Sequence, residues 1–145
     1  MEIGEVKAKD TWKLRRDVMW PGKSISFVQL PQDEAGRHFA VFEGGTMVSV
    51  VSLFVDGGKA QFRKLATLPS HQRKGYATAL LHHLLLKARA QGISELWCNA
   101  RYEKAGFYRR LGFAETGASF TKDGKSYVVM ACNVAVGLLY FTEGV

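Results

Sequence analysis

The chain is short of cysteine and proline and contains no long apolar run. Cys98 and Cys132 are its two cysteines. Each sits in an apolar stretch with no CxxC neighbour, which argues against a metal site or redox motif and leaves two small buried hydrophobes. The three prolines, Pro21, Pro31 and Pro69, are too scattered to form a linker, and there is no repeat or low-complexity tract. No apolar run reaches the roughly 18 residues that a bilayer-spanning helix needs. The apolar stretch at residues 134–141 is far too short. The start, Met1-Glu2-Ile3-Gly4-Glu5, carries acids where a signal peptide carries bases and then an apolar block. These absences predict a soluble, cytoplasmic chain with no metal and no membrane association, folded as one domain over residues 1–145.

Acid is scarce as well. Thirteen Asp and Glu face twenty Lys and Arg, for a net charge of +7. Such a balance attracts nucleic acid, acidic surfaces or a polyanionic ligand. The bases are scattered, with two small clusters: Lys13-Leu14-Arg15-Arg16, and Arg73-Lys74 with Arg109-Arg110 later. A solvated surface accounts for most of them, and a phosphate-rich ligand would account for the second set. No nucleic-acid motif accompanies the charge, and the aromatics are not interleaved with bases on one strand face. The expectation is therefore no nucleic-acid partner.

What is present is a globular pattern, 47% apolar and 23% charged. Residues 2–7 read as a short strand. Asp10 reads as the N-cap of a helix that runs through Trp12 and Val18 to Pro21. Residues 21–36 are loop-rich. Three strand-like runs follow, at 38–42, 46–55 and 59–68, divided by Gly44-Gly45 and Gly57-Gly58, as in an antiparallel meander. A helix over 75–91 carries Ala77, Leu80, Leu81, Leu84, Leu85 and Ala88 on one stripe, with Gly92 placed to stop it. His82 and His83 fall on its polar side and read as solvated. Residues 93–98 form a strand joined to the meander by a right-handed parallel crossover. A short helix over 102–111 stops at Gly112. Residues 113–120 and 126–133 form a hairpin across Asp123-Gly124. The fold class is mixed α/β.

Two segments carry chemistry. The first is Leu65-Ala66-Thr67-Leu68-Pro69-Ser70-His71-Gln72-Arg73-Lys74-Gly75-Tyr76-Ala77-Thr78. It reads as a strand, a tight polar turn and a helix start with small residues at Gly75 and Ala77. Free N–H groups and the partial positive charge of a helix start suit a phosphate, and Arg73 and Lys74 add charge beside it. The bland reading is an ordinary βα turn. The second segment is Asn99-Ala100-Arg101-Tyr102-Glu103-Lys104-Ala105-Gly106-Phe107-Tyr108-Arg109-Arg110-Leu111-Gly112-Phe113, where the bland reading of Tyr108 is a packing residue beside Phe107 and Phe113.

Gln72-Arg73-Lys74-Gly75-Tyr76-Ala77 resembles the acetyl-CoA pyrophosphate motif, Q/R-x-x-G-x-G/A, of the GNAT superfamily of acetyl-CoA-dependent N-acetyltransferases. Residues 63–69 look like that family's central strand, and Phe107-Tyr108 followed by Leu111-Gly112-Phe113 looks like its last helix. The resemblance covers about residues 38–133. It implies a mostly antiparallel sheet with a splayed parallel central strand pair, flanked by helices. It implies acetyl-CoA as co-substrate, with the pyrophosphate on the backbone of Gln72, Arg73, Lys74, Gly75, Tyr76, Ala77 and Thr78. Pantetheine would lie along Leu65, Ala66 and Thr67, and Asn99 would hydrogen-bond the cofactor. The tyrosine in Tyr108's position protonates the departing thiolate in the family. The acceptor would be a small-molecule or peptide amine, and a homodimer is compatible with the apolar tail at 134–145.

The chain departs from the family in one respect. Many relatives carry a glutamate on the central strand to deprotonate the amine, whereas Gln61-Phe62-Arg63-Lys64-Leu65 has no acid. Asp33, Glu34, His38 and Glu43 are candidate substitutes. His71 reads as lining the cofactor's rim, and Trp20 and Phe27 as packing for the first helix. The alternative to an enzyme is a CoA-binding sensor without catalysis.

Overall fold

The computed structural model describes residues 1–142, and residues 143–145 of the apolar tail lie outside them. Seven strands form a mixed sheet: β1 (Glu2–Val6), β2 (Arg37–Glu43), β3 (Thr46–Asp56), β4 (Lys59–Thr67), β5 (Glu95–Arg101), β6 (Ala114–Lys122) and β7 (Lys125–Asn133). Their order is β1-β2-β3-β4-β5-β7-β6. The sheet is mostly antiparallel, with β4 and β5 as its one parallel pair. Helices α1 (Ala8–Met19), α2 (Ile25–Val28), α3 (Tyr76–Ala90), α4 (Ala105–Arg110) and α5 (Val134–Thr142) flank it. The chain divides into two compact units. The first holds residues 1–54 and 62–81, and the second holds residues 55–61 and those from 82 onward.

The expected meander of runs 38–42, 46–55 and 59–68 is β2, β3 and β4, neighbours in that order in the sheet, and in the first unit β2 pairs antiparallel with β3 and β1 pairs antiparallel with β2. Its tight turn at Gly44-Gly45 needs φ of +55° and +82°, which glycine adopts without strain. Leu14 of α1 packs with Ala40, Val50 and Ala66 of the strands. Helix α1 starts earlier than Asp10 predicts. Lys7 is the N-cap, and Asp10 sits at N3, where its carboxylate accepts the Lys7 N–H at 3.0 Å. The acid therefore satisfies an orphan donor from inside the helix instead of from in front of it.

The larger correction concerns the basic cluster of α1. Arg15 is not solvated; it is fully buried. Its Nη1 and Nη2 donate to Asp33 Oδ2 and Oδ1 at 2.8 and 2.9 Å, and further bonds reach the Val28 carbonyl (3.1 Å) and Ser52 Oγ (2.8 Å). Asp33 also accepts from Trp12 Nε1 (3.0 Å) and from the Leu30 amide (2.9 Å). His38 completes the cluster, 2.8 Å from the Asp33 carbonyl through Nε2 and 2.7 Å from Ser52 Oγ through Nδ1. A carbonyl only accepts, so Nε2 carries the proton and Nδ1 accepts from Ser52, whose oxygen is left to accept from Arg15. The loop after α2 is thus pinned to α1, β2 and β3 by a polar network in which, among the described residues, only the buried Arg15 Nε has no partner.

The second unit contains two helices that stop by the same device. After α3, the Ile93 amide reaches Ala88 O (2.9 Å) and the Gly92 amide reaches Arg89 O (3.1 Å), with Gly92 at φ +74°. This is the Schellman pattern that a C′ glycine predicts. The β6–β7 ladder runs right up to its turn, pairing Lys122 with Lys125. Asp123 and Gly124 both take positive φ, +51° and +75°, the signature of a type I′ turn whose twist matches the strands. The tail forms α5 and folds back within the unit. Gly137 lies so close to its neighbours that a Cβ there would meet Cys132 Sγ at 3.0 Å. Phe141 stacks on His82 with centroids 4.6 Å apart, so His82 is half-buried against a ring and not solvated.

Burial alone would raise the Asp33 pKa, but the hydrogen bonds from Arg15, Leu30 and Trp12 outweigh it and bring the value down from 3.8 to about 2. A depressed carboxyl stabilises the fold fully above its unfolded pKa and loses that contribution as pH falls toward the folded value. We therefore expect Asp33→Asn, which strands the buried Arg15 cation, to cost about 3–5 kcal/mol in denaturant unfolding at neutral pH. Its stability should also fall less steeply than wild type between pH 4 and 2. The double variant Arg15→Met/Asp33→Leu should recover most of the loss.

Candidate active site

The loop between β4 and α3 is built by short-range hydrogen bonds. The Leu68 amide leaves β4 bonded to Val48 O at 2.9 Å, and a single 3₁₀ turn follows at Pro69–His71. The Gln72 side chain reaches back from Nε2 to Thr67 O at 3.0 Å and ties the two ends of the loop together. Gln72 therefore shapes the loop with its side chain, and its backbone amide bonds Pro69 O at 3.4 Å. Arg73 and Gly75 both take left-handed backbone, φ +62° and +88°. Nothing lies within 4 Å of a Cβ built on Gly75, so the backbone angle, not crowding by the protein, is what calls for glycine.

The consequence lies in the amides. The first helical bond of α3 runs from Ala79 N to Gly75 O at 3.0 Å. None of the six amides from Arg73 to Thr78 donates to an acceptor among the described residues. Arg73 and Lys74 are exposed and make no ion pair among those residues. Free donors and unpaired cations at a helix start are features that attract an anionic group.

The strand leading into this loop is held from one side. Ala66 is buried, and Leu65 and Thr67 are half-buried. Ser49 Oγ donates to Ala66 O (3.1 Å) and lies 2.8 Å from Thr67 Oγ1, so the Thr67 side chain is committed to β3. Lys64 takes φ +59°, an interruption of regular strand backbone that the residue types do not signal. The parallel ladder of β4 with β5 ends at Gln61↔Trp97, although β4 continues to Thr67 and β5 to Arg101. Tyr76, Ala77 and Thr78 are half-buried in the first turn of α3, and the His71 ring lies 6.0 Å from that of Tyr76.

Asn99 and Tyr108 belong to the second unit. Asn99 is exposed on β5 opposite Val129. Tyr108 is half-buried on α4, and its position follows from how that helix stops. The Phe113 amide bonds Tyr108 O (3.1 Å) and the Gly112 amide bonds Arg109 O (3.1 Å), with Gly112 at φ +95°. This Schellman stop puts Phe113 against Tyr108, ring centroids 5.9 Å apart at 70°. The Leu-Gly-Phe ending is therefore what orients the phenol. Burial, and then the neighbouring Cys98, push the Tyr108 pKa above its ordinary value, so the phenol is protonated at physiological pH. Tyr102 is largely exposed.

The four candidate bases separate clearly. Asp33 and His38 are buried and bonded into the Arg15 network. Glu43 pairs with the Met1 amino group at 3.0 Å, and Glu34 is exposed. Trp20 and Phe27 meet edge to face at 5.1 Å. Sequence reasoning passed over Arg63, which the structure places half-buried on β4. Arg15 was missed as well. It lies on the stripe Thr11, Leu14, Arg15, Val18, a core-facing period that marks it as buried despite its charge.

Comparison with known proteins agrees with this geometry. Residues 24–134 match the family model described as the acetyltransferase (GNAT) domain. The chain is 29% identical over 140 residues to the uncharacterized N-acetyltransferase YitI of Bacillus subtilis, covering 90% of this chain and 94% of that one. It is 31% identical over 87 residues to the ribosomal protein bS18-alanine N-acetyltransferase of Escherichia coli, covering 58% and 59%. The crystal structure of the Escherichia coli ribosomal-protein-S18-alanine N-acetyltransferase superposes with a TM-score of 0.76 at 23% identity, covering 92% and 93% of the two chains. A GNAT family acetyltransferase from Elizabethkingia anophelis with acetyl-CoA bound superposes at 0.71 and 14% identity, covering 91% and 97%. With the family model spanning most of its length, the chain belongs to the GNAT acetyltransferases, enzymes that take their acyl group from acetyl-CoA.

Proposed function

We propose that this protein transfers the acetyl group of acetyl-CoA directly to a primary amine, with Tyr108 as the general acid. The observation that carries the reading is the run of six unsatisfied amides from Arg73 to Thr78, flanked by two unpaired cations, at the position of the family's pyrophosphate motif. The pyrophosphate sits on those amides. Pantetheine lies along the backbone of Leu65, Ala66 and Thr67, beyond the point where β4 stops pairing with β5. Asn99 offers an exposed amide side chain to the cofactor. The reaction needs no metal.

The amine nitrogen attacks the thioester carbon and forms the new C–N bond. The tetrahedral intermediate collapses as the C–S bond breaks, and the sulfur leaves with the bonding pair. A thiolate of this kind has a conjugate acid near pKa 8.5, and Tyr108 supplies its proton. Burial keeps that proton on the phenol until the sulfur needs it. The ammonium proton goes to solvent, because the candidates Asp33 and His38 are buried and already bonded within the Arg15 network. The acceptor must therefore arrive at least partly neutral, which favours faster turnover as pH rises toward the amine pKa.

Calorimetric titration with acetyl-CoA tests the reading, with one site per chain expected. Gly75→Glu should abolish that binding, because it puts a like charge and a strained φ at the centre of the anion receptor; wild-type affinity would remove the loop from the site. Tyr108→Phe should bind acetyl-CoA normally and lose about 10²–10⁴ in kcat. Unchanged turnover would remove Tyr108 from the mechanism, and a wild type that binds acetyl-CoA yet acetylates no amine would make the chain a CoA sensor.

A further inference from the structure

Arg63 is a half-buried cation that its own fold leaves without a bonded partner among the described residues. It stands mid-strand on β4, two residues before Leu65, with its side chain half-buried. Among the described residues no hydrogen bond, ion pair or ring contact reaches it. The charges that act on it are Arg15, which repels, and Asp33, which attracts. Its side chain is therefore within electrostatic reach of the Arg15–Asp33 pair. Asp33 is not its bonded partner: no hydrogen bond or ion pair joins the two, and Arg15 already matches the Asp33 charge through both carboxylate oxygens. Burial lowers the Arg63 pKa, and Arg15 lowers it further.

A cation withdrawn from water without a counter-ion is costly, so a structure that keeps one is arranged for an anion it does not itself contain. The location says which anion. Arg63 lies on the strand whose next residues align the cofactor in the proposed function, near the Arg15–Asp33 pair. With the pyrophosphate given its own receptor at Arg73–Thr78, the anion left for Arg63 is one carried by the acceptor. We infer that the acceptor is an amine that also carries a carboxylate, and that Arg63 binds this carboxylate and selects for it. A guanidinium fork accepts a carboxylate in two parallel bonds, and a single cation matches a monoanion. The same charge repels an acceptor whose only charges are positive, which excludes polyamines from the site.

This inference rests on the acetyl-transfer reading, and the test separates the two. The probes are free α-amino acids, each paired with its own C-terminal amide, with acetyl-CoA as donor. The two members of a pair differ only in the carboxylate. Amidation also lowers the pKa of the amine, which on its own favours the amide as nucleophile. Wild type is expected to prefer the free acid, with KM lower by about 10- to 100-fold for the acids that it acetylates. Arg63→Gln should raise KM for the acid and erase that preference, leaving the Kd of acetyl-CoA and the thermal midpoint unchanged. Arg63→Lys should keep part of it. Equal use of acid and amide by wild type, acetylation of no acid in the panel, or a preference that survives in Arg63→Gln would each overturn the inference. A weakened acetyl-CoA affinity in Arg63→Gln would also overturn it, by assigning Arg63 to the cofactor. Failure of wild type to bind acetyl-CoA in calorimetry would strike at the acetyl-transfer reading itself.

Discussion

The first unit is organised around one buried ion pair. Arg15 and Asp33 meet in two parallel bonds at 2.8 and 2.9 Å, and both are buried. Such a pair holds only if most of its remaining polar atoms are also bonded. Trp12, Leu30, Val28, Ser52 and His38 meet that demand for all but Arg15 Nε, and in doing so they lock α1, the loop after α2, and strands β2 and β3 into one arrangement. Two consequences follow. Asp33 and His38, chemically the most inviting bases in this region, are buried and already bonded within the network. The Asp33 charge is matched by Arg15, and no bond joins it to Arg63.

The cofactor loop works on the opposite principle. There the fold withholds partners, so that six amides stay available, and it does so with cheap local devices. A glutamine side chain closes the loop, and two residues in left-handed backbone turn the chain. Placing Arg73 at φ +62° costs on the order of 1 kcal/mol relative to ordinary backbone. An anion on the free amides is the interaction that offsets such a cost. The second unit uses glycine differently, to stop α3 and α4 in Schellman turns and so to present Phe113 to Tyr108.

Much of this was legible in the residues, and the reasons are local. Asp-Gly and Gly-Gly turns, the leucine stripe of α3, and the glycines at 92 and 112 act within a few residues of where they stand, so pattern and structure agree there. The loop from Gln72 to Thr78 was legible for the same reason. The failures are all non-local. Arg15 looks like a surface base until Asp33, eighteen residues away, is brought to it. Asp10 looked like an N-cap because its role as an N3 acid depends on where the helix begins. His82 appeared solvated because Phe141, which covers it, comes from the far end of the chain. The interruption at Lys64 has no residue signature at all, since lysine does not favour positive φ.

The central claim is that the free amides from Arg73 to Thr78 are a receptor for the acetyl-CoA pyrophosphate. Amide hydrogen exchange, resolved by residue with and without saturating acetyl-CoA, tests it most directly. Exchange at these six positions should be fast in the free protein and slow by at least tenfold in the complex, with little change from acetyl-pantetheine, which lacks the pyrophosphate. Exchange that is already slow without ligand, or that is equally unaffected by acetyl-CoA, would contradict the account.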